Sequence, residues 1–107
     1  MTTFYKNEAV DLTTTNLTAV YTAPAAKTAI FKSILVSNDS GSATTITLSL
    51  TNAATAVFSL YKLEEVGALS TRELLEQPLV LETAEILKAQ AATAGRLHVV
   101  ASYMEIT

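Results

Sequence analysis

The sequence predicts an all-β fold: an antiparallel β-sandwich, jelly-roll-like, of about seven or eight short strands. Three observations carry that prediction. Thr44 to Thr51 alternates without a break, Ile46, Leu48 and Leu50 against Thr45, Thr47, Ser49 and Thr51, the period-two signature of a half-buried strand. Turn-forming residues punctuate the chain, at Ala23-Pro24-Ala25, Asn38-Asp39-Ser40-Gly41-Ser42, Asn52-Ala53-Ala54-Thr55 and Thr93-Ala94-Gly95-Arg96. Segments of helical propensity are few and short, and isolated helices of such length are marginal in water.

Taken in order, residues 1–16 form an N-terminal segment with two readings: a first edge strand followed by a turn, or an arm laid on a neighbouring subunit. Residues 17–107 form the sandwich domain. Leu17 to Thr22 alternates as a short strand. Pro24 fixes its own φ and pushes Ala23 out of the helical region, so the chain turns there. Thr28 to Ser37 is the longest β-branched and aromatic run, with Ile30, Ile34 and Val36 on one face and Phe31 and Leu35 on the other. The Asn38–Ser42 cluster predicts a hairpin that pairs this strand with Thr44 to Thr51. Val57 to Leu63 is a further strand, ended by the charged break Glu64-Glu65-Val66-Gly67. Ser70 and Glu73 match a capping box ahead of Leu74-Leu75, which predicts at most one short helix near residues 71–77, stopped by Pro78. Leu79 to Leu81 is strand-like. Thr83 to Ala92 has helical propensity, but its shortness and its strand-like flanks favour a strand over Ile86 to Ala91. Leu97 to Ile106 closes the chain as a long strand.

Composition narrows the function classes. With 107 residues the chain makes one domain, large enough for a core without staples, and with no cysteine it has no disulfide, thiolate metal site or thiol nucleophile. The net charge of −3 and only 7 basic residues argue against nucleic acid or an anionic membrane as partners. No apolar run approaches the roughly 20 residues of a spanning helix, and no signal peptide is expected at the N-terminus. Half the residues are hydrophobic yet only 16% are charged, against about 25% in typical soluble domains, and Thr and Ala contribute 17 residues each. Few charges and many small residues suit a surface that largely meets other protein.

Chemistry is sparse. The single histidine, His98, lies mid-strand on the face shared with Val100, Ser102 and Met104, and has neither a second histidine nor a cysteine as co-ligand. No nucleophile elbow surrounds any serine. Glu64, Glu65, Glu73, Glu76, Glu82 and Glu85 cluster in the second half, where solvated loop charges explain them more simply than a glycosidase pair. The Asn38–Ser40 turn lacks alternating acidic ligands, and 3 glycines provide no phosphate cradle. Tyr5, Tyr21, Tyr61 and Tyr103 have no basic stripe beside them, so packing explains them better than base stacking. The expectation is no enzyme, no cofactor and no metal.

The second apolar face of the 28–37 strand is the feature left to explain. A strand with two apolar faces is central in a sandwich or is covered by another chain. Phe31 and Leu35, with Lys32 beside them and Phe4 and Tyr5 from the N-terminal segment, are therefore the candidate subunit interface. Lys32 either runs its stem along apolar surface to a rim or pairs with a neighbouring subunit's carboxylate.

The run VYTAPAAKTAIFKSILVSNDSG (20–41), the alternating TTITLSL (44–50), and PLVLETAEILKAQAATAGRLHVVASYMEI (78–106) resemble small virion proteins of tailed bacteriophages. In that group a Tyr-Thr-(Val/Ala)-Pro-Ala turn precedes a Lys-Thr-Ala-Ile strand. A Pro-Leu-x-Leu stretch, an acidic turn and an Ile/Val-Leu-Lys-Ala strand then lead to a last strand ending Tyr-x-Glu-Ile. The likeness covers roughly residues 17–106 and is structural in character. Two positions depart from the pattern: Ala26, where Gly is common, and Ala84-Glu85, where Gly-Asp is common. The resemblance implies a β-sandwich repeated in many copies in the shell, tail or baseplate, and a strand over Ile86–Ala91. It implies a virion location after synthesis in the host cytoplasm, with capsid decoration (cement) preferred to a tail, neck, baseplate or fibre component. The implied partners are other virion proteins, of capsid or tail, and copies of itself, most simply as a closed trimer, since cyclic symmetry satisfies exposed strand edges. Two rivals stand beside it: a receptor- or glycan-binding module using the tyrosines, and a hydrolase using Glu73, Glu76 and Glu82.

Overall fold

A computed structural model describes residues 2–107; Met1, the first residue of the N-terminal segment, lies outside them. Nine strands and no helix occur along the described residues: β1 (Thr3–Leu12), β2 (Thr18–Thr22), β3 (Thr28–Asn38), β4 (Thr44–Thr51), β5 (Val57–Val66), β6 (Ser70–Glu73), β7 (Leu79–Leu81), β8 (Ile86–Ala91) and β9 (Leu97–Ile106). They form two packed antiparallel sheets. Sheet A runs β1-β9-β3 and is completed by β6 and β7, which pair with successive stretches of β3; sheet B runs β2-β8-β4-β5. The nine strands exceed the seven or eight predicted, because the far edge of sheet A is split into β6 and β7, which share one strand position. The pairings nest as β1 with β9, β2 with β8, β3 with β6 and β7, and β4 with β5. A chain paired this way is one long hairpin rolled up, the jelly-roll connectivity. Its tip is the β4–β5 turn, where Asn52 Oδ1 accepts hydrogen bonds from the Ala54 and Ala56 amides.

The core lies between the sheets, with Leu12, Phe31, Ile34, Ile46, Leu48, Leu81, Leu87 and Leu97 among its fully buried side chains. Each such residue contributes about 1.5–3 kcal/mol by leaving water. The strands at 86–91 and 97–106 lie as the sequence predicts, and residues 3–12 form an edge strand of sheet A, in register with β9 along its whole length.

Four expectations are corrected. First, the apolar residues of β3 are not divided between its two faces as strict alternation predicts. Its register with β9 passes from Phe31↔Tyr103 to Ser33↔Ser102, so Lys32 is the extra residue of a bulge. The bulge reverses the side-chain alternation, placing Ala29 and Phe31 inward before it and Ile34 and Val36 inward after it. Second, β3 and β4 are not a hairpin. The Asn38 side chain is buried and donates to the carbonyls of Ser42 and Val66, and this anchor carries the chain from sheet A to sheet B. Third, residues 70–73 are strand and 74–78 an interruption, with no helix near 71–77. The capping-box residues are otherwise engaged: the Ser70 hydroxyl donates to the Gly67 carbonyl, and the Glu73 carboxylate accepts from Ser33 and from the Ile34 and Leu75 amides. Fourth, β5 continues through Glu64-Glu65 to the buried Val66.

Candidate interaction surface

The outer face of sheet A is built by register. Tyr5 pairs with Met104, Met104 with Ile30 and Ile30 with Val80, making an apolar row across all four strand positions. A second row runs Ala9, Val100, Leu35. Tyr5 is 83% exposed, and Leu35, Val80 and Val100 are exposed as well. Between the rows lie Asn7, Ser102 and the bulge, where Tyr5, Asn7, Lys32 and Ser102 line a shallow depression of about 430 Å³. The bulge thus has a consequence for the surface: it turns Leu35 outward while keeping Ile34 in the core.

The candidate interface residues fall in three places. Leu35, Lys32 and Tyr5 lie on this outer face. Phe4 is on the opposite face of β1, half exposed, with Lys6 Nζ 5.6 Å from its ring centroid. Phe31 has 0% exposure and stacks within the core on Tyr103, its ring centroid 4.9 Å away, with Tyr21 edge-on at 5.3 Å. It is a core residue of this chain, because the bulge lies just beyond it. Lys32 forms no ion pair among the described residues.

A buried carboxylate closes the end of the sandwich beside Phe4. Glu105 is 2% exposed, accepts the Tyr21 hydroxyl at 2.6 Å, and pairs with Lys6 Nζ at 3.0 Å and Lys27 Nζ at 3.4 Å. Donation from Tyr21, then from Lys6, holds its carboxyl down at about 2 against the opposing effect of burial. Burial, with Glu105 next to it, pushes the Tyr21 phenol up, and burial beside the Glu8 carboxylate raises Tyr103 to about 12. The Tyr103 hydroxyl donates to Glu8 at 3.3 Å. Sequence reasoning singled out none of these residues as a group, yet the signal was present: Tyr21 and Lys27 flank the Pro24 turn, and Tyr103-Met104-Glu105 ends the last strand. The two motifs close on one another.

The remaining polar candidates have structural surroundings. His98 Nε2 lies 3.6 Å from Asp11 and 3.7 Å from Asp39 on the outer face of sheet A. Glu64 pairs with Arg72 at 2.9 Å, and Glu85 accepts the Glu82 amide at 2.7 Å. Among the described residues no group of three or more His, Asp or Glu side chains is placed to hold a metal ion. A scan of the chain against protein-family models finds no match, and a search of curated proteins finds none.

Proposed function

We propose that this protein is a non-enzymatic structural component of a tailed-phage virion that attaches to an assembled particle surface, as a capsid decoration protein. The observation that carries the reading is the apolar outer face of sheet A. Strands of about ten residues at 3.3 Å each and four strand positions at about 4.8 Å give a face of roughly 600 Å². A stable specific interface takes about 800 Å² per partner, so this one face supplies most of what attachment needs. Contiguous apolar rows rimmed by polar residues are often functional contact sites. The low charge and the resemblance of the Tyr21–Lys27 and Tyr103–Glu105 motifs to small virion proteins support the same reading. The mechanism is additive: each copy covers its apolar face against a neighbour at about 25 cal/mol per Å², and many copies reinforce one another. A glycan-stacking module is supported less well, because Tyr21 and Tyr103 are buried in the core and only Tyr5 is freely exposed.

Mass spectrometry of purified particles of the encoding phage tests this. The protein is expected at a copy number comparable to that of the shell subunit. Its absence from particles overturns the proposal.

A further inference from the structure

The two sheets have four edges, and three are blunted. Strand β2 has five residues and a register shift at Val20. Strand β5 is broken by two register shifts and by Leu63 at φ 54°. The far edge of sheet A is split between β6 and β7 by the 74–78 interruption containing Pro78. Bulges, prolines and shortness are the means by which sheets avoid adding strands. Strand β1 has none of them: it runs ten residues in unbroken register with β9, and Thr3 to Asn7, Ala9 and Asp11 are exposed.

We infer that β1 is a docking edge for a second copy of this chain, paired antiparallel to itself about a two-fold axis at Asn7. The Thr107 amide bonds the Thr2 carbonyl, so by antiparallel alternation the even residues of β1 bond β9. Thr3, Tyr5, Asn7, Ala9 and Asp11 then turn their amides and carbonyls to the free edge. In the register centred on Asn7, Lys6 faces Glu8 of the second copy and Glu8 faces its Lys6, so both charge pairs are complementary. Phe4 meets Val10, Tyr5 meets Ala9, and Thr3 meets Asp11. Inward residues stay with inward ones and outward with outward, since the register sum is even. On the outer face the row Val80-Ile30-Met104-Tyr5 of one copy continues into Ala9-Val100-Leu35 of the other, joining the two sheets into one apolar surface. A ring of three built by edge pairing needs two different intact edges on each copy, and the chain has one. The pairing stands on the edge itself and is independent of the particle role.

The chain lacks cysteine, which permits a register-specific test. In the predicted pair the two Asn7 Cα atoms lie about 5.5 Å apart, within the range a disulfide spans. The two Ala9 residues lie about 13 Å apart along the strands. The unmodified protein is expected to sediment as a dimer. Asn7→Cys should convert to covalent dimer on mild oxidation, at least tenfold faster than Ala9→Cys. Asn7→Pro, which removes an amide facing the free edge and none facing β9, should sediment as a monomer with an unchanged circular dichroism spectrum. A monomeric or trimeric unmodified protein, equal cross-linking of the two cysteine variants, or a folded Asn7→Pro variant that still dimerises would each overturn the inference.

Discussion

Glu105 ties the last strand to the turn that precedes β3. Its carboxylate is shut from water and is tolerable there only because Tyr21, Lys6 and Lys27 compensate it. The cluster sets an acid limit on stability. Its folded pKa of about 2 lies below the ordinary 4.5, so the stabilisation is complete above pH 4.5 and is lost as pH falls toward 2. At about 1.4 kcal/mol per pKa unit the contribution is on the order of 3 kcal/mol. Glu105→Gln should therefore lower the unfolding free energy by about that amount at pH 7, with the gap to the unmodified protein closing toward pH 2, as followed by urea titration across pH. A gap that stays constant from pH 7 to 2 would show that the carboxylate charge plays no part. These residues stood in the sequence as parts of two motifs 84 positions apart, and only the fold brings the Tyr21 hydroxyl to Glu105.

At the scale of elements, what was legible was periodicity, and what was hidden was its interruption. The alternation of 44–51 and the two long strands at 28–38 and 97–106 appear where the pattern puts them. The bulge at Lys32 is invisible because Ile-Phe-Lys-Ser-Ile reads equally well as unbroken strand, and an unbroken strand groups Phe31 with Leu35 and Ile30 with Ile34, whereas Phe31 and Ile34 turn inward and Ile30 and Leu35 outward. The capping-box match at Ser70 failed because its side chains are bonded to Gly67 and to β3 instead. The two departures at Ala26 and Ala84 are explained by the turns. The Lys27 amide bonds the Pro24 carbonyl at 3.3 Å and the Glu85 amide bonds the Glu82 carbonyl at 3.0 Å, leaving Ala26 and Ala84 third in their turns at φ 60° and 69°. That conformation favours glycine. The turns also bind each other, through Ala23 to Glu85 and Ala84 to Ala23. An L residue there costs about 1–2 kcal/mol, and glycine returns about 0.5–1 of that in chain entropy. Ala26→Gly and Ala84→Gly should each raise the melting temperature by about 2–6 °C, whereas Ala25→Gly, at ordinary φ, should lower it. Melting temperatures lowered by all three would contradict these turn geometries.

At the scale of the molecule, the rolled-up topology explains why the outer face of sheet A is the candidate contact. Long-range pairing places β1, β9 and β3, the three longest strands of sheet A, side by side, and their outward residues carry Tyr5, Met104, Ile30, Val100 and Leu35 into two rows. Sheet B presents Thr47, Lys88 and Gln90 across β4 and β8, and its exposed apolar groups, Val57, Phe58 and Leu63, are confined to the edge strand β5. Composition already pointed to a protein that meets protein; which face does so depends on topology that no single strand pattern encodes. Hydroxyl-radical footprinting of the free protein and of intact particles, read by mass spectrometry, tests this most directly. Tyr5 and Met104 are expected to be labelled in the free protein and at least several-fold protected in particles, with Phe58 on β5 labelled in both. Unchanged labelling of Tyr5 and Met104 with protection at Phe58 would contradict it.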